Sequence, residues 1–396
     1  MHNKLMSGRG VIYLAACAIH GKCPEQDAVM GMQLEYVYKQ ATKHAMQAIT
    51  YMAIAKYTEK YGTDGLDAEL LKKWKYAYER IVHRLVLLDI ERERVIRHLE
   101  ASGIWYMPLK GAILQNYYPK LGMRQMSDND ILVDAGKRQE IYDFMTESGY
   151  EAVYFALEHP DTYQKNNKQF YFEMHHSLFF NVKRSKEAYD YYKDVKERLI
   201  KKEGTEYGYC FKNEDFYVYI VTHSYKHFTE CGVGIRSLMD SYVYRRAMSD
   251  KLDKEYVAKE LEALGLTNFE RVTSTLADIL FGKDFSPPED IDKELSDSER
   301  QMLNVHILSG TFGTAEQSIA QLMKTMNAEK KITLGARIKY LFRRFFPDMD
   351  YYKINHPTVY KYKILVPFYW FWRLIRGVFR SPRVNAREMK YIWKSK

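Results

Sequence analysis

The sequence predicts an α+β protein, a small mixed β-sheet core flanked by N-terminal and C-terminal helical regions. Three observations predict it. Apolar residues recur at helical spacing through much of the first hundred residues. From about residue 103 to 182 the period changes, and short apolar or alternating runs exchange with short helical patterns. Helical spacing then returns and holds to residue 281.

In residues 28–60 the helical face is Met32, Leu34, Val37, Met46, Ile49, Met52 and Ile54. Residues 68–101 repeat the pattern more strongly through Leu70, Leu71, Trp74, Ile81, Leu85, Leu88, Val95, Ile96 and Leu99. Turn residues from Gly62 to Gly65 divide the two, and Gly103 closes the second, as a glycine after a last helical turn does. Residues 104–109 then read as a strand, 111–118 as a helix closed by Pro119, and 129–133 as a second strand. Residues 136–148 read as a helix closed by Gly149, and 150–155 as a third strand. A polar loop with His159, Pro160 and Asp161 leads to a fourth strand at 169–174, QFYFEM. Helices are expected over 187–201, 214–228, 235–247, 255–264 and 269–281, and the stretch from Phe285 to Asp297, rich in proline and acids, reads as a linker. The division that follows is 1–102 helical, 103–182 α/β core, 183–284 helical, and 285–396 linker and C-terminal tail.

At 396 residues the chain can bury a large core. Its net charge of +9 hides an asymmetry: from Lys330 onward 17 Lys and Arg face 3 acids, so the remainder is net acidic and the basic excess belongs to the tail. Four scattered cysteines (Cys17, Cys23, Cys210, Cys231), none in a CxxC pair, exclude a disulfide-stapled scaffold and favour a reducing cytoplasm. Residues 11–19, VIYLAACAI, follow Lys4 and Arg9 and imitate a short signal peptide, but no small-residue cleavage site precedes His20, Lys22 and Pro24, and no leader is expected. The most apolar C-terminal window, residues 364–372, is too short to span a bilayer and contains Pro367.

The chemistry gathers in residues 104–134. Residues two apart on a strand share a face, so Asp128 and Asp130 project together and can hold one ion or an ion pair, while Asn129 faces away. Two Mg²⁺ ions about 4 Å apart are what in-line phosphoryl or nucleotidyl transfer uses, held by hard oxygen ligands. A third carboxylate completes such a site. Glu173 is the candidate, because an acid between Phe172 and Met174 is costly to bury without a partner. The Lys110-Gly111 turn, between a strand and a helix start, offers backbone N–H groups and charge to a phosphate. Arg124 is spaced to meet a triphosphate as a fork of donors, and Ser127 adds a hydroxyl. Each signal alone has an ordinary structural reading as a surface turn, a strand-start pair or a satisfied ion pair. Their joint order is the specific feature.

Three segments, LKGAILQNYYP, RQMSDNDILV and FEMHHSLF, together resemble the uncharacterised nucleotidyltransferase family, a bacterial branch of the nucleotidyltransferase superfamily with its DNA polymerase beta-like fold. The family pattern is a Leu-Lys-Gly turn, a Tyr-Pro some residues on, an Arg before an Asp-x-Asp strand, and later an acid followed by His. The resemblance extends over roughly residues 30–250, with family-like features also in FRRFFPDMDYY and VPFYWFWRLIRG of the tail. It implies Mg²⁺-dependent transfer of a nucleoside monophosphate from a nucleoside triphosphate such as ATP to an acceptor hydroxyl. Asp128 and Asp130 would be metal ligands, Glu173 the third carboxylate and a base, and Lys110 and Gly111 the phosphate turn. The chain departs from better-known members in having Lys-Gly-Ala where they have Gly-Ser or Gly-Gly, and a polar Asn129 where an apolar residue would pack better behind the strand.

Other groups have milder expectations. His223 and His227 lie four apart, yet Ser224 stands where the HExxH zinc motif has its Glu, so zinc is not expected. Arg236 and Asp240 fit a helix ion pair. Of His175 and His176 one must face the site, where it could orient Glu173. The tail (Lys361, Lys363, Phe368, Tyr369, Trp370, Trp372, Arg373, Arg376, Arg380) could fold onto the body, or contact a membrane surface or nucleic acid through residues 330–396. A small-molecule acceptor is favoured over protein or RNA. The alternative is a catalytically inactive protein of the same fold that binds membrane or nucleic acid through its tail.

Overall fold

The run VIYLAACAI has no period because it is apolar on every side, and it is buried on every side. It is the centre of helix α1 (His2–His20), in which every residue from Ser7 to Ile19 is buried. The computed structural model describes residues 2–155, 159–166, 169–311, 333–380, 388–389 and 391–393. Around α1 pack α3 (Leu34–Lys43), α4 (Gln47–Tyr61), α12 (Thr267–Phe281) and α13 (Asp297–Ser309), with α2 (Gln26–Met30) beside them. Close approach requires glycine in α1. A Cβ on Gly8 would lie 2.3 Å from Ile307 Cγ2, and one on Gly10 3.0 Å from Val37.

The period in residues 28–60 thus belongs to three short helices, whereas residues 68–101 form the single helix α5 (Ala68–Ala101). Asp67 caps α5, its carboxylate accepting from the Glu69 and Leu70 N–H groups. The stretch from Phe285 to Asp297, expected as a linker, is clamped to α1. The Phe285 ring packs against Tyr13 and His20, and the buried Arg9 donates to Asp292 from Nη2, to Oδ1 and Oδ2 at 2.6 and 2.8 Å, and from Nε to Oδ1 at 3.2 Å. Ser296 and Glu299 then form a capping box that starts α13.

A five-stranded sheet follows α5 in the order β1-β2-β5-β4-β3, with β1 (Tyr106–Pro108), β2 (Asn129–Val133), β3 (Glu151–Tyr154), β4 (Asp161–Lys165) and β5 (Phe170–His175). The β2–β5 pair is parallel and the others antiparallel. Strand β4 corrects the expected polar loop: Asp161, Thr162 and Tyr163 are all buried, and Asp161 pairs with Arg138 and His176, so a polar-looking segment has its polarity satisfied inside. The helix expected over 187–201 is also corrected. It ends as α8 (Lys186–Tyr192), and Leu199–Lys201 (β6) pairs with Tyr209–Phe211 (β7) across a turn containing Gly204 at φ 76°. Helices α9 (Asn213–Glu230), α10 (Ile235–Ala247), α11 (Lys254–Ala263) and α12 stand where helical spacing placed them.

Strand alternation sorts the sheet between two layers. Ile131, Val133, Phe172 and Met174 pack with Leu85, Leu88, Val95 and Leu99 of α5 and with Ile141 and Met145 of α7 (Arg138–Glu147). Met107 and Leu132 face the opposite way, into a core with Val218, Tyr219 and Val221 of α9. A third core joins the N-terminal helices to Ile235, Leu238, Leu276 and Leu303 of α10, α12 and α13.

A short helix α6 (Gly111–Leu114) follows β1 at the sheet, and the tail carries helices of its own, α14 (Leu334–Phe345), α15 (Met349–Asn355), α16 (Pro357–Lys361) and α17 (Val366–Arg380). Asp350 accepts from the Lys183 N–H at 3.2 Å and Lys353 donates to the Asn181 carbonyl at 3.1 Å, tying α15 to the loop after β5. Tail residues 330–332, 381–387, 390 and 394–396 lie outside the described residues. Among the described residues no helix is long and apolar enough to cross a membrane.

Candidate active site

The pairing of β2 with β5 sets the site, because it makes Asp130 and Glu173 direct register partners. Alternation then puts Asp130, Glu173 and His175 on one face. One ligand atom from each of the three lies within 4.8 Å of the others. His175 Nε2 is 2.8 Å from Asp130 Oδ1 and 3.5 Å from Glu173 Oε2. His176 points to the other side, 2.8 Å from Asp161. The turn before α6 is docked on the same strand by the Leu109 N–H, which donates to the Asp130 carbonyl at 2.9 Å. Its next residue, Lys110, has φ 39°, a conformation that costs a non-glycine residue on the order of 1–3 kcal/mol. That bend brings Lys110 Nζ to 3.6 Å from Asp130 Oδ2.

The electrostatics of the cluster diverge within a few residues. Burial disfavours the Asp130 charge, but Lys110 and the hydrogen bond from His175 outweigh it and hold the carboxyl well below the usual range. Burial likewise opposes charge on Lys110 and His175, and the facing carboxylates raise both. Asp128, half-buried just before β2, goes the opposite way. Burial first, then the charges of Asp130 and Glu173, push it up to about 6, against the pull of Lys110 and Arg236. Three crowded carboxylates, one of them driven toward neutrality by burial and by the other two, form a donor set that fits a divalent cation. Asp and Glu supply the hard oxygens such an ion takes, and His175 adds a nitrogen once its proton is lost.

The remaining expected residues are placed differently. Arg124 does not hold its fork toward the carboxylates: Nε and Nη2 donate to Asp240 Oδ1 and Oδ2 at 2.8 and 3.0 Å, with both side chains almost fully buried. Tyr118 donates to the same Asp240 at 2.7 Å. The helix pair expected between Arg236 and Asp240 is replaced by this one because Arg124 reaches Asp240 from the loop before β2, leaving Arg236 to donate to the Gln125 carbonyl at 2.8 Å. Gly111 is fitted to this arrangement, since a Cβ there would lie 2.7 Å from Arg124 Nη1 and 2.8 Å from Met126 Sδ. Ser127 is exposed, its carbonyl held by Arg84 at 3.0 Å. Asn129 does not loosen the packing behind the strand. It is buried, donates to the Leu88 carbonyl at 3.1 Å and accepts from Arg92 at 3.1 Å, so the polar residue pins β2 to α5.

A cleft of about 410 Å³ opens over the carboxylate face, walled by Lys110, Glu173 and His175 and, from α9, by His223, Lys226 and His227. The two α9 histidines share a hydrogen bond, Nε2 to Nε2 at 3.1 Å. Burial lowers both, His227 to about 4, so both are neutral near pH 7. Tyr154, His159 and Tyr171 from the sheet side and Asn355 from the tail complete the wall. Spacing on α9 already placed His223, Lys226 and His227 on one helical face. Arg236 beside Asp128, and Asn355, carried no local signal.

A family model described as an uncharacterised nucleotidyltransferase matches residues 31–282, from before α3 to the end of α12 and including both site strands. No curated protein and no solved structure gives a significant match.

Proposed function

The chain belongs to the uncharacterised nucleotidyltransferase family, and from that membership and the geometry of its carboxylate face we propose that it transfers a nucleoside monophosphate from a nucleoside triphosphate to an acceptor hydroxyl. The observation that carries the reading is the register pair Asp130–Glu173, with His175 and Lys110 closing on the same carboxylates. Asp128, Asp130 and Glu173 would hold Mg²⁺, which when bound supplies charge neutralisation at the reacting phosphate and at the departing pyrophosphate. Lys110 and the Gly111 backbone would meet the phosphates. Once Lys110 is drawn to them, Asp130 is released from its present ion pair. Glu173 would take the proton of the acceptor hydroxyl as the new oxygen–phosphorus bond forms and the bond to pyrophosphate breaks. His175 is a positioning residue, orienting Asp130 and Glu173. Arg124 would hold the turn at Gly111 rather than touch the triphosphate.

The aromatic and histidine-lined cleft supports a small-molecule acceptor over a protein or RNA end. Four free cysteines support a reducing, cytoplasmic setting. Retention of all three carboxylates supports an active enzyme over an inactive scaffold.

Asp128→Ala with Asp130→Ala should abolish Mg²⁺-dependent nucleotide binding in calorimetric titration while circular dichroism stays unchanged. Wild-type heats of binding from the double variant would count against the proposal. Incubation with each labelled triphosphate and a cell extract, followed by fractionation, would identify the acceptor.

A further inference from the structure

Two helices of the tail turn their large apolar side chains outward. In α14 the inward residues are Ala336 and Tyr340, which form a small buried cluster with Ile392, and Tyr340 donates to Glu388 at 2.6 Å. The opposite face carries Leu334, Ile338, Phe342 and Phe345, which at 100° per residue fall on a single stripe. In α17 the inward side has Val366, Tyr369 against Tyr352 and Trp370 against Phe346. Its outward stripe is Phe368, Phe371, Trp372 and Ile375. All eight outward residues are between 44% and 72% exposed. A helix whose outer face meets only water has the reverse pattern, and contiguous exposed apolar stripes mark a surface that something covers.

The chemistry of the surroundings says what covers it. The α14 stripe is flanked by Arg337 and Arg344 on one side and Lys339 and Arg343 on the other, in a region with 17 Lys and Arg against 3 acids. Aliphatic and aromatic groups projecting between basic flanks complement a bilayer surface, where the apolar stripe enters the acyl boundary and the long cationic side chains reach anionic headgroups. Nucleic acid would use the cations and aromatic faces, but Leu334, Ile338 and Ile375 offer no surface on which a base stacks. We propose that the outward faces of α14 and α17 lie in the plane of an anionic lipid surface and hold the protein there as a peripheral membrane protein. The inference does not depend on nucleotidyl transfer.

The test uses the full-length protein in flotation with phosphatidylcholine vesicles, with and without phosphatidylglycerol. The wild type should float with the phosphatidylglycerol vesicles and only weakly with neutral ones. Phe342→Ser with Phe371→Ser should lower the partition coefficient about tenfold or more, at an unchanged melting temperature and unchanged nucleotide binding. Lys339→Gln with Arg343→Gln should weaken flotation at low salt and much less at high salt. A second pair, Ile338→Gln with Phe368→Gln, should repeat the apolar loss. Trp372 emission, isolated by subtracting the Trp372→Phe protein, should shift to the blue on vesicle addition. The proposal is overturned if the wild type does not float, if the apolar pairs float as well as the wild type, or if these substitutions abolish binding to single-stranded RNA instead.

Discussion

Asp128 and Asp130 are two residues apart and of the same type, yet neighbouring charges drive their proton affinities in opposite directions. The sign for Asp128 follows from its raised value near 6. Without a cation the fold favours the protonated form, so its contribution to stability is present at low pH and lost as pH rises through about 6. In EDTA the melting temperature should therefore fall between about pH 4 and 6 more for the wild type than for Asp128→Asn, and Mg²⁺ should reverse the fall in the wild type. Equal pH profiles would remove Asp128 from the cluster. Arg124 makes a different prediction. Asp240→Ala leaves a buried guanidinium and the Tyr118 hydroxyl without their shared partner, which should cost about 3–5 kcal/mol in urea unfolding. At this scale the acidic residues and the lysine turn were legible from spacing. The real partner of Arg124, 116 positions away along the chain, was not.

Among the elements, α5, α11 and α12 were legible because each has one wet and one dry face, and that contrast writes a period into the sequence, whereas α9 and α10 are buried over several successive residues and show it more weakly. Helix α1 shows no such period because surrounding helices dry it on all sides and erase the contrast. Strand β4 was missed for the converse reason, since Asp161 looks solvated until Arg138 and His176 are brought to it. Packing around α1 leads to a test at the same scale. Gly8→Ala improves helix propensity by up to about 1 kcal/mol, but its methyl would collide with Ile307 at 2.3 Å. The variant should be less stable by about 1–3 kcal/mol. In a double-mutant cycle with Ile307→Ala the two losses should be less than additive.

The whole molecule is joined across its helical layers by a buried histidine. His44, at the end of α3, accepts the Ile235 N–H of α10 at Nδ1 (3.2 Å) and donates from Nε2 to the Ile307 carbonyl of α13 (3.0 Å). Burial lowers it to about 3, and burial lowers His306 nearby to about 4. A depressed histidine contributes stability that is complete above its unfolded value of about 6.5 and is lost as pH falls toward the folded one. Each such group should remove about 1.4 kcal/mol per pH unit over that window. Urea midpoints should thus drop steeply from pH 6.5 to 4, and His44→Asn should be weaker at pH 7 but shallower in acid. By itself the sequence determined the fold class, the succession of amphipathic helices, and a carboxylate cluster beside a lysine turn, because period and local spacing are properties of neighbours in the chain. Tertiary structure alone decided that His175 joins Asp130 and Glu173, that Arg124 serves Asp240, and that α1 lies at the centre. Each of those depends on which distant segment excludes water from, or brings an opposite charge to, a given side chain.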